Sequence, residues 1–213
     1  MGFLTGGIDY DMIGRVGNHV GRKRKGRNVL AMRPSKSNKP PTQAQLDQRL
    51  KFGLMTSFIS RIASVVDVGF AAYDAKMTAR NAAVGYNMEH AITGVSPNYS
   101  INYEKLLYSK GKLEMPEYPE IATVAAARLD YSWPALTGIT YAKGTDKATF
   151  LVYNEVKDKF VVLRGGALRS ALSYNLLLPG NFSGDSVQCY ISFVSADGKL
   201  VSKNYYVGEH IVV

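Results

Sequence analysis

The apolar residues of this chain change their period near residue 98, and no all-helical or all-strand fold accommodates that change. Upstream, Leu46, Leu50, Leu54, Phe58 and Ile62 recur every fourth residue, with Met55, Ile59, Val65 and Val66 widening the stripe. This spacing predicts a helix that buries a broad face. Pro40 and Pro41 bar an earlier start. Thr42 with Gln45 three residues on has the pattern of a capping box, in which two orphan backbone donors are satisfied reciprocally. Gly69 is expected to end this helix or bend the segment that follows. A second helix is expected from about Lys76 to Ile92, stopped by Gly94. Two helices joined by a short loop make a helical hairpin, which cannot bury both faces alone.

Downstream, "GVSPNYSINYEKLL" reads as a boundary, and short alternating runs follow: "KLLYSKGKLEMP", "ARLDYSWPAL", "KATFLVYNEV", "KFVVLRGGA", "ALSYNLLLPG" and the C-terminal "SVQCYISFVSADGKLVSKNYYVGEHIVV". Asp197-Gly198 between two such runs is a hairpin signal. In "SVQCYISFV", Val187, Cys189, Ile191 and Phe193 share one face, and Gln188, Tyr190 and Ser192 the other. Cys189 is therefore expected in the core as a small hydrophobe. About seven strands in roughly 110 residues, with Trp133 in an early one, predict a β-sandwich of immunoglobulin or fibronectin type.

The first quarter of the chain is different again. Gly14, Gly17, Gly21 and Gly26 punctuate it, and Val29-Leu30-Ala31-Met32 follows the tetrapeptide "KGRN". Two β-prone runs around a Gly turn predict a hairpin. "RPSKSNKPP" then interrupts regular structure. The expected organisation is an α+β chain in three regions: a Gly-rich basic hairpin and Pro-rich arm over 1–41, a two-helix region over 42–98, and the β-sandwich over 99–213.

Charge singles out the first region. Eleven Lys and Arg against three Asp in the first 51 residues place +8 of the net +9 there. Basic arms that meet polyanions or acidic partners have this asymmetry. Arg22, Lys23, Arg24, Lys25 and Arg27 are the candidate contacts at the hairpin tip, and Arg33, Lys36 and Lys39 extend the track. This stretch carries no aromatic side chain for stacking single-stranded bases. Gly21 and Gly26 have the spacing of a phosphate-cradling loop, but Arg27 and Asn28 stand where that loop needs Lys and Ser or Thr.

Other chemistries lack their residues. One cysteine cannot form an internal disulfide or a Cys-based metal site. His19, His90 and His210 fall in three different regions, and no Gly-x-Ser-x-Gly elbow occurs. Glu114, Glu117 and Glu120 are interleaved with prolines and read as a solvated linker. Of the 14 tyrosines, most are expected as strand residues with buried rings and a few as an interaction face. No catalytic residue, metal or cofactor is expected. The N-terminus has no basic segment followed by a long apolar run, and Gly6 stands where myristoylation needs Ser or Thr. No run approaches the roughly 18 apolar residues of a membrane span, so a soluble, cytoplasmic protein is expected.

The order "GRVGNHVGRKRKGRNVLAMRP", "PPTQAQLDQRLKF", "NAAVGYN" and "NYSINYEKLLYSKGKL" resembles a family of uncharacterised bacterial proteins known only as a domain of unknown function. The most specific element is Thr-x-x-Gln-x-x-x-Arg-x-x-Phe, here Thr42, Gln45, Arg49 and Phe52. The Gly/basic hairpin followed by such a helix is also similar to elements of small phage and prophage proteins. The resemblance implies an aromatic residue near Arg24, from which this chain departs, and it implies no catalytic residues. The resulting expectation is a non-enzymatic structural or assembly protein that associates through the basic arm or the β-domain face, as a homo-oligomer or with a protein partner. The alternative is a nucleic-acid or polyanion binder that uses the Arg22–Arg27 cluster.

Overall fold

The computed structural model describes residues 2–7, 10–24, 26–35, 38–73, 77–135 and 140–213. Among them the chain forms a mixed α+β fold of three α-helices and four β-sheets, divided after Thr42 into two compact units. The helical segment and the strand-rich segment that follows it lie in the same unit.

The first unit is a small antiparallel sheet. Strands β1 (Gly2–Leu4), β2 (Gly14–Val16), β3 (His19–Arg24) and β4 (Arg27–Met32) take the order β1-β4-β3-β2. Val16 pairs His19 across Gly17-Asn18, with Gly17 at φ 56°, and Arg24 pairs Arg27 across a turn that holds Gly26 at φ 75°. Two-residue hairpin turns need positive φ, which glycine supplies without steric penalty. The basic hairpin is thus the middle of a sheet, because the Gly-rich leader returns as β1 and β2 along its two edges. One face is crossed by the loop before β2. Asn28 Nδ2 donates to the Tyr10 carbonyl at 2.5 Å, and a β-carbon at Gly21 would collide with the Met12 carbonyl.

The second unit opens with α1 (Gln43–Arg61), which begins right after Thr42. A 91° bend at Ile62 leads into α2 (Ala63–Gly69), so the helical run ends at Gly69 as expected but is broken once before it. Gly69 also permits close approach of another segment. A β-carbon there would overlap the Tyr108 carbonyl and Ser109, and Lys110 N–H donates to the Gly69 carbonyl at 2.9 Å. The next helix, α3 (Ala79–His90), starts at its own N-cap, Thr78, whose hydroxyl accepts from Asn81 N–H at 3.3 Å. It ends before Ala91, and Gly94 is not its stop. Gly94 lies in β5 (Ile92–Val95), paired with β6 (Asn98–Ile101), where it makes room for the Asn98 carbonyl. The expected boundary segment is therefore a β-hairpin.

Strands β7 (Glu120–Ala122), β8 (Arg128–Ser132) and β11 (Ser173–Leu177) form an antiparallel sheet in the order β11-β8-β7. Strands β9 (Lys147–Asn154), β10 (Lys159–Leu168), β12 (Ser186–Val194) and β13 (Tyr205–Ile211) form another, β10-β9-β12-β13. The four-stranded sheet is covered on both faces. Phe150, Val152, Cys189, Ile191 and Phe193 meet Leu129, Tyr131, Trp133 and Leu176 in one core cluster, where Trp133 lies edge-on to Phe193 at 5.6 Å. Leu151, Tyr153 and Tyr190, of opposite parity, pack with Phe58, Ile59, Ile62 and Val66 of the helical layer in the other. Cys189 lies on its expected face, and the opposite face, with Gln188, Tyr190 and Ser192, is buried as well.

"KLLYSKGKLEMP" does not form a ladder strand, although Leu106, Leu107 and Tyr108 are buried. Two buried asparagines replace the missing partner strand. Asn87 accepts from Leu107 N–H at 2.8 Å and donates to the Leu107 carbonyl at 2.6 Å. Asn204 accepts from Tyr108 and Ser109 N–H at 2.9 and 3.1 Å and donates to the Leu106 carbonyl at 3.0 Å. Buried backbone polar groups require such partners. The expected Glu114 linker is also tied down, since its carboxylate accepts from the backbone N–H groups of Thr140 and Tyr141.

Candidate polyanion-binding face

Cross-strand partners in a sheet share a face, and alternate residues along a strand share it too. In the N-terminal sheet Arg15 pairs Val20, Arg22 pairs Val29, and Arg24 pairs Arg27. Val20, Arg22 and Arg24 alternate along β3, and Arg27 and Val29 along β4. Arg15, Arg22, Arg24 and Arg27 therefore project from one face, drawn from three strands. Lys23 pairs Asn28, which in turn pairs Leu4, so it belongs to the opposite face, the one crossed by Tyr10 and Met12.

The eight candidate residues consequently do not form one cluster. Arg22, Arg24 and Arg27 come together and are exposed. Lys23 is separated from them by strand parity. Arg33 follows β4; its backbone N–H donates to the Asn18 carbonyl at 2.8 Å and its side chain is exposed. Lys39 is exposed but has an interaction of its own. Lys25 and Lys36 lie outside the described residues.

Two residues join this face that sequence reasoning did not assign to it. Arg15 arrives from β2 and holds its Nε toward the Gly17 carbonyl at 3.5 Å. Phe3 arrives from β1 by pairing with Val29; it is 61% exposed, and the Arg27 guanidinium carbon lies 5.8 Å from its ring centroid. The face therefore carries an aromatic ring beside its cations, from a residue distant in sequence.

The electrostatics of this face are one-sided. Among the described residues, none of the four arginines forms an ion pair. Like charges directly across a ladder, as at Arg24 and Arg27, are destabilising. Neutralisation by an external anion removes that repulsion. Each guanidinium offers a planar fork of donors suited to phosphate or carboxylate oxygens.

Elsewhere, burial governs the shifted thiol, phenols and imidazole. Burial pushes the Cys189 thiol up to about 12 and raises the Tyr131 and Tyr190 phenols well above their usual range. His90 stacks on Tyr86 at 4.2 Å. Burial lowers the pKa of His210, partly offset by a backbone hydrogen bond at Val207. No three His, Cys, Asp or Glu side chains converge as a metal site among the described residues. No single helix among them is long and apolar enough to cross a membrane.

Residues 11–208 match the family described as "Family of unknown function (DUF6266)", and the chain belongs to that family. The matched span takes in β2, β3 and β4 together with nearly all of the second unit. No curated protein matches the chain. No solved structure matches it either.

Proposed function

We propose that this protein is a non-enzymatic binding protein that grips a polyanion, nucleic acid in the first instance, with the arginine face of its N-terminal sheet. The observation that carries this reading is the placement of Arg15, Arg22, Arg24 and Arg27 on one face with no acidic partner among the described residues. Phe3 adds a ring on which an unpaired base can stack. The experiment is a fluorescence-anisotropy titration of nuclease-treated protein against labelled duplex and single-stranded DNA over a range of salt. Four engaged charges give a log–log salt slope of about −3.6 on duplex DNA. No binding to either at low salt overturns the reading.

A second reading, an assembly protein, is favoured by a different observation. Leu46, Leu50 and Phe52, in the N-terminal half of α1, are 38, 46 and 53% exposed. Gln45, Arg49 and Phe52 of the family-like motif lie along one side of this helix, since their spacing follows its turn. Leu46 and Leu50, one turn apart, form a separate apolar strip from which Phe52 faces away, and a second copy or a protein partner would cover one of these sides. Sedimentation showing a monomer across a wide concentration range removes self-association.

For the second unit we also infer a fibronectin-type sandwich. Its seven strands β7 to β13 divide three and four between facing antiparallel sheets with Trp133 between them, which supports that architecture.

A further inference from the structure

Residues of α2 and of the four-stranded sheet line a cleft of about 530 Å³. That volume lies within the usual range for small-molecule sites. Its floor is the helix-side face of the four-stranded sheet, where Thr149 pairs both Arg164 and Ser192 and Lys147 lies two residues along β9. Val65 and Val68 of α2 form an apolar wall. A β-bulge at Gly165-Gly166 follows Arg164 directly, and bulges re-aim the side chains beside them.

The chemistry of the lining is selective. It contains two cations, Lys147 and Arg164, and no carboxylate. Neither cation forms an ion pair among the described residues; the one hydrogen bond of Arg164 is a 3.3 Å donation to the Ser64 carbonyl. The floor between them is made of hydroxyls. Thr149 and Ser192 are 4 and 2% exposed, and Tyr108 O–H donates to Ser192 Oγ at 3.1 Å. That contact leaves the Ser192 proton able to donate to a ligand.

We propose that this cleft binds a small polyol carrying a phosphate ester. The phosphate, with a charge near −2 and three acceptor oxygens, takes the Lys147 ammonium and the Arg164 guanidinium. The ligand's hydroxyls meet Thr149 and Ser192, and its carbon skeleton rests on Val65 and Val68. The site lies wholly in the second unit and is independent of the arginine face.

The test is a ligand titration followed by protein NMR on the full chain, with glucose 6-phosphate, glucose and inorganic phosphate as probes. Saturable shifts of Thr149 and Ser192 amide signals are expected with glucose 6-phosphate, with weaker binding of either component alone. Lys147→Gln, an exposed substitution, is expected to weaken binding about tenfold or more through loss of a charge-assisted contact. Arg22→Gln/Arg24→Gln is expected to leave it unchanged. Absence of saturation by about 10 mM, a ceiling corresponding to very weak affinity, overturns the proposal. So does binding indifferent to Lys147→Gln, and equal affinity for inorganic phosphate overturns the polyol assignment.

Discussion

Asp146→Ala is expected to be among the most damaging single substitutions in the second unit. Asp146 is 1% exposed and its carboxylate accepts from Arg169 Nε at 3.1 Å and from Lys143 N–H at 2.8 Å. Arg169 is 4% exposed, with its guanidinium 4.1 Å from the centroid of the Phe193 ring. Its backbone is fixed as well: its N–H donates to the Asp146 carbonyl at 2.7 Å, and its carbonyl accepts from Trp133 Nε1 at 2.9 Å. The substitution therefore leaves a guanidinium held in the core without its counter-charge. Breaking such a pair costs about 3–5 kcal/mol. With a urea m-value of about 2 kcal/mol/M, the midpoint falls by roughly 1.5–2.5 M. Circular dichroism is the suitable probe, because Trp133 fluorescence would report the local change as well as unfolding. Arg169→Met/Asp146→Leu, which removes both charges, is expected to lie much nearer the parent. Asp67→Ala serves as the control, since its 2.6 Å pair with Arg80 is about half exposed and exposed pairs contribute little. An Asp146→Ala midpoint matching that control would refute the reasoning.

Three further outcomes follow from the same packing. Cys189 is expected to resist a thiol reagent in the native protein at pH 8 and to react on unfolding; a rapid native reaction contradicts its placement between the sheets. Gly69→Ala is expected to cost about 1–3 kcal/mol through overpacking against Tyr108 and Ser109, read as a loss in urea midpoint; an unchanged midpoint contradicts the close approach. His210 has a pKa depressed in the folded state, so its contribution to stability is present above its unfolded value near 6.5 and is lost as pH falls through the folded one. His210→Gln is expected to flatten the decline in thermal midpoint below about pH 6.5 relative to the parent, and an identical pH profile for the two proteins contradicts it.

Much of the fold was legible because local chemistry and burial agree. The parity of "SVQCYISFV" placed Cys189, Ile191 and Phe193 together on the core side, as found. The alternation did not say what covers the opposite face. Gln188 and Ser192 are buried there because the tyrosines Tyr206 and Tyr108 donate to them. Hydrogen-bonded polar groups can be buried at little cost, so polarity alone does not mark a solvent face. The four-residue period of α1 was similarly informative about its face and silent about its cover. Met55, Phe58, Ile59 and Ile62 are buried, whereas Leu46 and Leu50 of the same stripe are not. The segment around Leu107 lay beyond pattern reading, because its backbone is satisfied by the side chains of Asn87 and Asn204, 20 and 96 residues or so away.

The candidate site shows the same division. The run "RKRKGR" announced positive charge, but a run of letters does not state register. Only the pairings of β3 with β2 and β4 separate Lys23 from its neighbours and recruit Arg15. Phe3 joins through β1, a three-residue strand too short for periodicity to reveal.

The account therefore predicts that arginines and lysine in one contiguous basic run behave differently, and one measurement tests this most directly. The salt dependence of duplex DNA binding should be compared for the parent, Arg22→Gln/Arg24→Gln and Lys23→Gln. The double arginine variant is expected to lose about 1.8 from the magnitude of the log–log slope, and Lys23→Gln is expected to match the parent. A Lys23→Gln slope reduced as much per charge as that of the arginine variant would contradict a one-faced site.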